Sequence, residues 1–143
     1  MTCMISIQRT NDLAKVQDTR IKIFHKELGL SKRDIFDNDD KILEQFLIMN
    51  DNDVLVGTFR LREVDNSYKI ERMGVLSKYR SKGFGKLALE EIKSYAKKAK
   101  KSTIILDSLY DVRNFYAKSG FVQTGDVYDK VGIPHVKMHF EIV

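Results

Sequence analysis

Two glycines that follow an arginine, at the junction between a strand and a helix, constrain this chain more than any other feature. Residues 75–86 read V-L-S-K-Y-R-S-K-G-F-G-K. Tyr68 to Val75 upstream has the pattern of a strand, and Leu87 to Lys100 downstream that of a helix. Between them Arg80 to Gly85 spells R-x-x-G-x-G. Glycines there let the backbone turn tightly and come close to a ligand. The helix start adds unpaired N–H groups and the positive end of a dipole, which together suit phosphate. Arg80 and Lys82 add charge for a polyphosphate. The stretch is not a Walker loop, because Leu87 follows Lys86, nor a dinucleotide fingerprint, because position 88 is alanine. Standing alone, it would read equally well as an ordinary glycine-rich turn.

The chain around it reads as one α/β domain over residues 1–143, with no repeat and no linker. Cys3 to Arg9 alternates as strand 1. Asn11 and Asp12 can cap a helix over Asp12 to Leu28, which Gly29 stops. Residues 30–41 carry Asp34, Asp37, Asp39 and Asp40 and read as a loop or short turn. Glu44 to Met49, Val54 to Val64 and Tyr68 to Leu76 form an antiparallel meander, turned at Asn50 to Asp53 and Asp65 to Ser67. The helix after the glycine turn has a stripe of Phe84, Ala88, Ile92, Tyr95 and Ala99. Thr103 to Asp107 is a short strand parallel to the one before the helix. Ser108 and Asp111 suggest a cap for a last helix ended by Gly120, and Phe121 to Thr124 and Pro134 to Ile142 close the sheet.

Order and spacing over nearly the whole chain resemble the GNAT superfamily of N-acetyltransferases, its ElaA-like branch in particular. The resemblance rests on V-x-S-x-x-R-S-K-G-F-G-K after a strand, on F-Y-A-K-S-G-F at Phe115 to Phe121, and on the ending Gly132-Ile-Pro-His-Val-Lys-Met138. It implies a mixed, largely antiparallel sheet of about seven strands, splayed between strands 4 and 5 and flanked by helices. It implies an acetyl-CoA-dependent N-acetyltransferase acting by direct transfer to a primary amine of a small molecule or peptide. A CoA-binding sensor or partner module without catalysis is the alternative. The resemblance assigns the donor to Met73, Gly74 and Val75 and to the turn residues Arg80, Ser81, Lys82, Gly83, Phe84, Gly85 and Lys86. Tyr116 becomes the acid beside the sulfur and Glu71 the base.

The acceptor is the least constrained part. His135 is a second candidate base or a substrate contact, and Asp37 or Asp40 could hold a second positive charge on the amine. A solvated loop explains those aspartates as well. Net charge is +5, but the densest lysine run, Lys93 to Lys101, closes a helix, where cations complement the dipole. No zinc pattern or RNA-binding aromatic signature accompanies it, so neither metal nor nucleic acid is expected. A single cysteine excludes an internal disulfide. The chain has no basic, apolar leader and no membrane-length apolar run, so a cytoplasmic monomer or homodimer is expected.

Overall fold

The computed structural model describes residues 4–143; Cys3 and the side chain of Asp34 lie outside the described part. Its strands are β1 (Ile5–Thr10), β2 (Glu44–Asn50), β3 (Leu55–Val64), β4 (Ser67–Val75), β5 (Thr103–Leu109), β6 (Val122–Lys130) and β7 (Ile133–Glu141). They form one seven-stranded sheet in the order β1-β2-β3-β4-β5-β7-β6, in which only β4 and β5 pair in parallel. The expected mixed sheet is therefore present.

The crossover between β4 and β5 is helix α3 (Phe84–Lys98). Phe84, Ala88, Leu89, Ile92 and Ala96 are its buried side, and they meet Phe46, Phe59, Leu61 and Ile104 in the core. Leu89 and Ile92 are fully buried, so truncating either to alanine costs about 2–5 kcal/mol. Tyr95, at the edge of this stripe, packs edge-on to Phe46 and donates its hydroxyl to Glu44 at 2.8 Å.

The first helix differs from the uniform one expected. Helix α1 (Leu13–Arg20), capped by the Asp12 carboxylate, widens into a π turn over Ile21–His25, with Lys26 N–H reaching the Ile21 carbonyl at 3.0 Å. Such widenings often mark functional sites. This one lays Ile23 and Phe24 against Gly74 of β4, where an added Cβ would stand 2.8 Å from Ile23 and 3.1 Å from Phe24. The acidic stretch forms two single turns, α2 (Lys32–Ile35) and a 3₁₀ turn at Asn38–Lys41 that Asp37 caps.

Two further expectations need correction. Ser108 does not cap helix α4 (Arg113–Ala117); it is buried in β5 and its hydroxyl donates to the Leu109 carbonyl. Strand β6 does not stop at Thr124. Gly125, at φ 79°, sits where the β6–β7 register slips between Thr124 and Tyr128, so it makes an irregularity inside a longer strand and not an end.

The sheet opens where β4 and β5 part. Their pairing runs only from Ser67 opposite Thr103 to Ile70 opposite Leu106, yet β4 continues to Val75 and β5 to Leu109. A bulge lies just beyond the last pair. Thr58 faces Gly74 and Arg60 faces Glu71, so Arg72 and Met73 together oppose Phe59, and Arg72 takes φ 55°. An ordinary residue in that left-handed region costs roughly 1–2 kcal/mol.

Candidate active site

The glycine turn forms one end of the opening. Ser81 (φ 61°) and Gly83 (φ 83°) are both left-handed, and Gly83 precedes the first turn of α3 without a side-chain cap. Leu87 is the first residue whose N–H bonds within the helix, to Gly83 at 3.0 Å. The N–H groups of Phe84, Gly85 and Lys86 therefore have no intrahelical acceptor. All three residues line a cavity with Met73, Gly74, Val75, Arg80, Ser81 and Tyr116. Lys82 is exposed beside the turn. The residues present fit a polyphosphate: free N–H donors, a helix dipole and cations at one point.

The two glycines serve different ends. A Cβ at Gly83 would meet nothing within 4 Å, so only its backbone angle asks for glycine. A Cβ at Gly85 would stand 2.8 Å from the Phe115 ring, so Gly85 is also a packing requirement of α4. Arg80 is partly committed, with Nε donating to the Val75 carbonyl at 2.9 Å and its guanidinium paired to Glu27.

A second cavity opens on the other side of the same gap and shares Phe24, Met73, Leu109 and Tyr116 with the first. Tyr116 stands where the two meet. Its hydroxyl makes no hydrogen bond to a described residue, and burial pushes its pKa up to about 12. The phenol is thus protonated throughout the neutral range.

Glu71 lines the second cavity but is heavily engaged. It accepts from Arg60 Nε at 2.9 Å and Arg62 Nε at 3.1 Å, and lies 3.7 Å from Lys69. Burial alone would raise its pKa, but the bonds and charges of Arg62 and Arg60 outweigh it and hold the carboxyl below its ordinary value. A carboxylate held that low accepts protons poorly at neutral pH.

His135, from β7, faces the same cavity and is 7% exposed. Its Nδ1 lies 2.7 Å from the Ile133 carbonyl. A carbonyl only accepts, so Nδ1 carries the hydrogen and the neutral ring keeps a lone pair on Nε2.

Among the described residues, Asp37, Asp39 and Asp40 do not gather as an open acidic mouth, each being paired with an arginine. Asp40 is 4% exposed, bonds Arg20 and Arg60 at 2.8 Å each, and does not line the cavity. A contact between Asp40 and a cationic acceptor is corrected accordingly: the carboxylate is consumed by two buried guanidinium groups. Asp37 does line the cavity, but both its oxygens accept from Arg60, at 2.8 and 2.9 Å. That bond, partly opposed by burial, brings its pKa down to about 2.

Sequence reading missed the arginines that meet these acids. Arg20 and Arg60 are among the largest fully buried side chains. The signal was available in β3, where Arg60 and Arg62 alternate opposite Glu71 on β4. Asp107 was missed too. It lies on the part of β5 that has left β4 but still pairs with β7, forms ion pairs with Lys69 at 3.0 Å and Lys130 at 3.3 Å, and approaches the Tyr128 hydroxyl; burial opposes its ionisation, but these partners bring its pKa down to about 2.

Comparison with known proteins agrees with this geometry. The family described as "Acetyltransferase (GNAT) domain" matches residues 18–142. The uncharacterized protein YyaT of Bacillus subtilis is 32% identical over 134 residues, covering 92% of this chain and 90% of the relative. A crystal structure of a candidate N-acetyltransferase from Lactobacillus plantarum superposes with a TM-score of 0.87 at 24% identity, covering 98% of this chain and 99% of that one. Escherichia coli ElaA superposes at 0.76, with 24% identity over 96% of this chain and all of its own.

Proposed function

Because the chain belongs to the GNAT acetyltransferase family, whose members move acetyl groups from acyl-CoA, we propose that it acetylates a primary amine through the gap between β4 and β5, with acetyl-CoA as donor. The observation that carries this reading is the placement of Tyr116. Its hydroxyl, without a hydrogen-bond partner among the described residues, belongs to the residue shared by a phosphate-suited cavity and one lined by the His135 imidazole.

Acetyl-CoA supplies an activated acetyl group on a thioester sulfur. The residues suited to its polyphosphate are the α3 N-terminus, Ser81, Lys82, Lys86 and what remains free of Arg80. Met73, Gly74 and Val75 lie unpaired with β5, so on that side their backbone faces the gap, while Gly74 and Val75 pair with β3 on the other. On the acceptor side His135 Nε2 takes one proton from the ammonium form of the substrate, freeing the lone pair that attacks the acetyl carbon. The second N–H proton leaves the nitrogen as the amide forms and ends on the sulfur. The ammonium form and acetyl-CoA thus give free thiol, N-acetyl amine and one proton, which His135 passes on to water.

Tyr116 acts chiefly as a hydrogen-bond donor. An ordinary thiol ionises near ~8.5, so handing over a proton held at about 12 is uphill by roughly 5 kcal/mol. A bond donated to the growing negative charge on sulfur needs no such transfer. Glu71 in this scheme positions Arg60, Arg62 and Lys69 around the acceptor cavity, and the proton goes to His135. We place the protein in the cytoplasm as part of the same reading; no helix among the described residues is long and apolar enough to cross a membrane.

Tyr116→Phe removes only the hydroxyl. Turnover in a thiol-release assay with an amine panel is expected to fall ~10²-fold while acetyl-CoA affinity holds. Unchanged turnover would make Tyr116 a packing residue and remove the observation on which the reading stands.

A further inference from the structure

Strand alternation would turn Arg72 toward the α3 face, away from Glu71. The bulge prevents this: at φ 55°, Arg72 joins Glu71 in lining the acceptor cavity. A strained backbone thus holds a cation at the acceptor cavity.

The cation is poorly compensated. Its Nε lies 3.3 Å from the Ile35 carbonyl and its Nη2 3.4 Å from Asp37, both long for hydrogen bonds. Asp37 already accepts two bonds under 3 Å from Arg60. Glu71 is taken by Arg60 and Arg62, and Asp107 by Lys69 and Lys130. Three carboxylates line the cavity against four cations, and only Asp37 reaches Arg72, through one long ion pair at 3.4 Å on a carboxylate that Arg60 already holds at 2.8 and 2.9 Å. Arg33, the remaining cation of the lining, is exposed and makes no ion pair among the described residues. Burial first, and the charge of Arg60 after it, push the pKa of Arg72 below its ordinary value, against the opposing pull of Asp37, Glu71 and Asp40.

We infer that the acceptor is a primary amine that also carries an anionic oxygen group, a carboxylate or a phosphate, bound by Arg72 and Arg33 at the mouth of the cavity. A guanidinium offers paired donors matched to either group, and such bonds are strong where water is partly excluded. The inference reverses the expectation of a dicationic amine, because the acids that suggested one are consumed by arginines inside the fold. It rests on the acetyl-transfer reading, but binding tests it separately.

The test uses the full chain with four matched amines: an amino carboxylate, an amino phosphate, a neutral amine and a diamine. Thiol release is measured for each, and calorimetry measures their binding in the presence of CoA. The wild type is expected to prefer one of the anionic amines over the neutral one by ~10–10²-fold in kcat/KM, on the strength of hydrogen bonds to charged groups. The preferred arm tells carboxylate from phosphate. Arg72→Gln should erase that preference, read as the ratio of anionic to neutral amine in kcat/KM within the variant. Arg33→Gln, at an exposed position, gives a smaller loss of the same kind and guards against misfolding of the first variant. Binding of an anionic amine that depends on Arg72, without turnover, would sustain this inference and sink the acetyl-transfer reading. Equal or better use of the neutral amine or diamine overturns it, as does an absence of both binding and turnover for the anionic pair.

Discussion

His135→Gln is expected to lower kcat/KM by ~10²–10³-fold and to abolish the acidic limb of its pH profile. The argument is one of availability. The neutral imidazole keeps a free lone pair because its other nitrogen donates to the Ile133 carbonyl, and glutamine can keep that donation while lacking the base. Glu71, the acid first suggested by the chain, is held as a carboxylate by Arg60 and Arg62 and accepts protons poorly. Glu71→Gln should therefore disturb substrate binding yet leave the acidic limb in place. A limb that persists in His135→Gln and disappears in Glu71→Gln would reverse the two roles.

Arg60→Met should cost about 3–5 kcal/mol of folding stability, read as a lower urea midpoint. Arg60 is 1% exposed and serves Asp37, Asp40 and Glu71 at once. Methionine fills much of the volume but removes the guanidinium that three carboxylates share, leaving Asp40 to Arg20, Glu71 to Arg62 and Asp37 to one long contact with Arg72; breaking a buried network on one side costs far more than a neutral swap of a whole pair would. Arg62, 31% exposed, makes a fitting contrast: Arg62→Met should cost only about 1 kcal/mol or less. The variants should also differ in acid. Asp37 and Glu71 have folded pKa values below their unfolded ones, so their contribution is full above the unfolded values and is lost as pH falls through the folded ones, to about 2 for Asp37. Arg60→Met should flatten that acid-side loss. Equal midpoints for the two variants would mean that the network contributes little.

What the sequence could reveal follows its physics. Local chemistry was legible: the glycine turn, the amphipathic face of α3 and the alternation of β3 and β4 each depend on neighbours in the chain. The turn that we assign to the donor was legible as a strand-to-helix junction for the same reason, being one continuous stretch of chain with a helix start. The acceptor side draws on the π turn of the first helix, on the acidic segment, on β4 and β5, and on the β6–β7 hairpin, which meet only after folding. Asp40 looked like a free surface acid because its partners, Arg20 and Arg60, each lie 20 positions away. Arg72 looked like an ordinary strand residue because a bulge has no strong signature unless glycine occupies it. Gly85 carried two meanings, a ligand turn and a contact with Phe115, and the sequence displays only the first.

Acetyl transfer itself is tested most directly by incubating the protein with acetyl-CoA and the matched amines, then measuring free thiol and N-acetyl amine together by mass spectrometry. The account expects the two products in equal amounts, at a rate well above that of acetyl-CoA hydrolysis without amine. Gly83→Val, where the added side chain meets open space but the backbone is forced from its left-handed angle, should lose both products in parallel. Acetyl-CoA that binds tightly to the wild type yet releases no thiol with any amine would contradict the account and leave a binding module in its place.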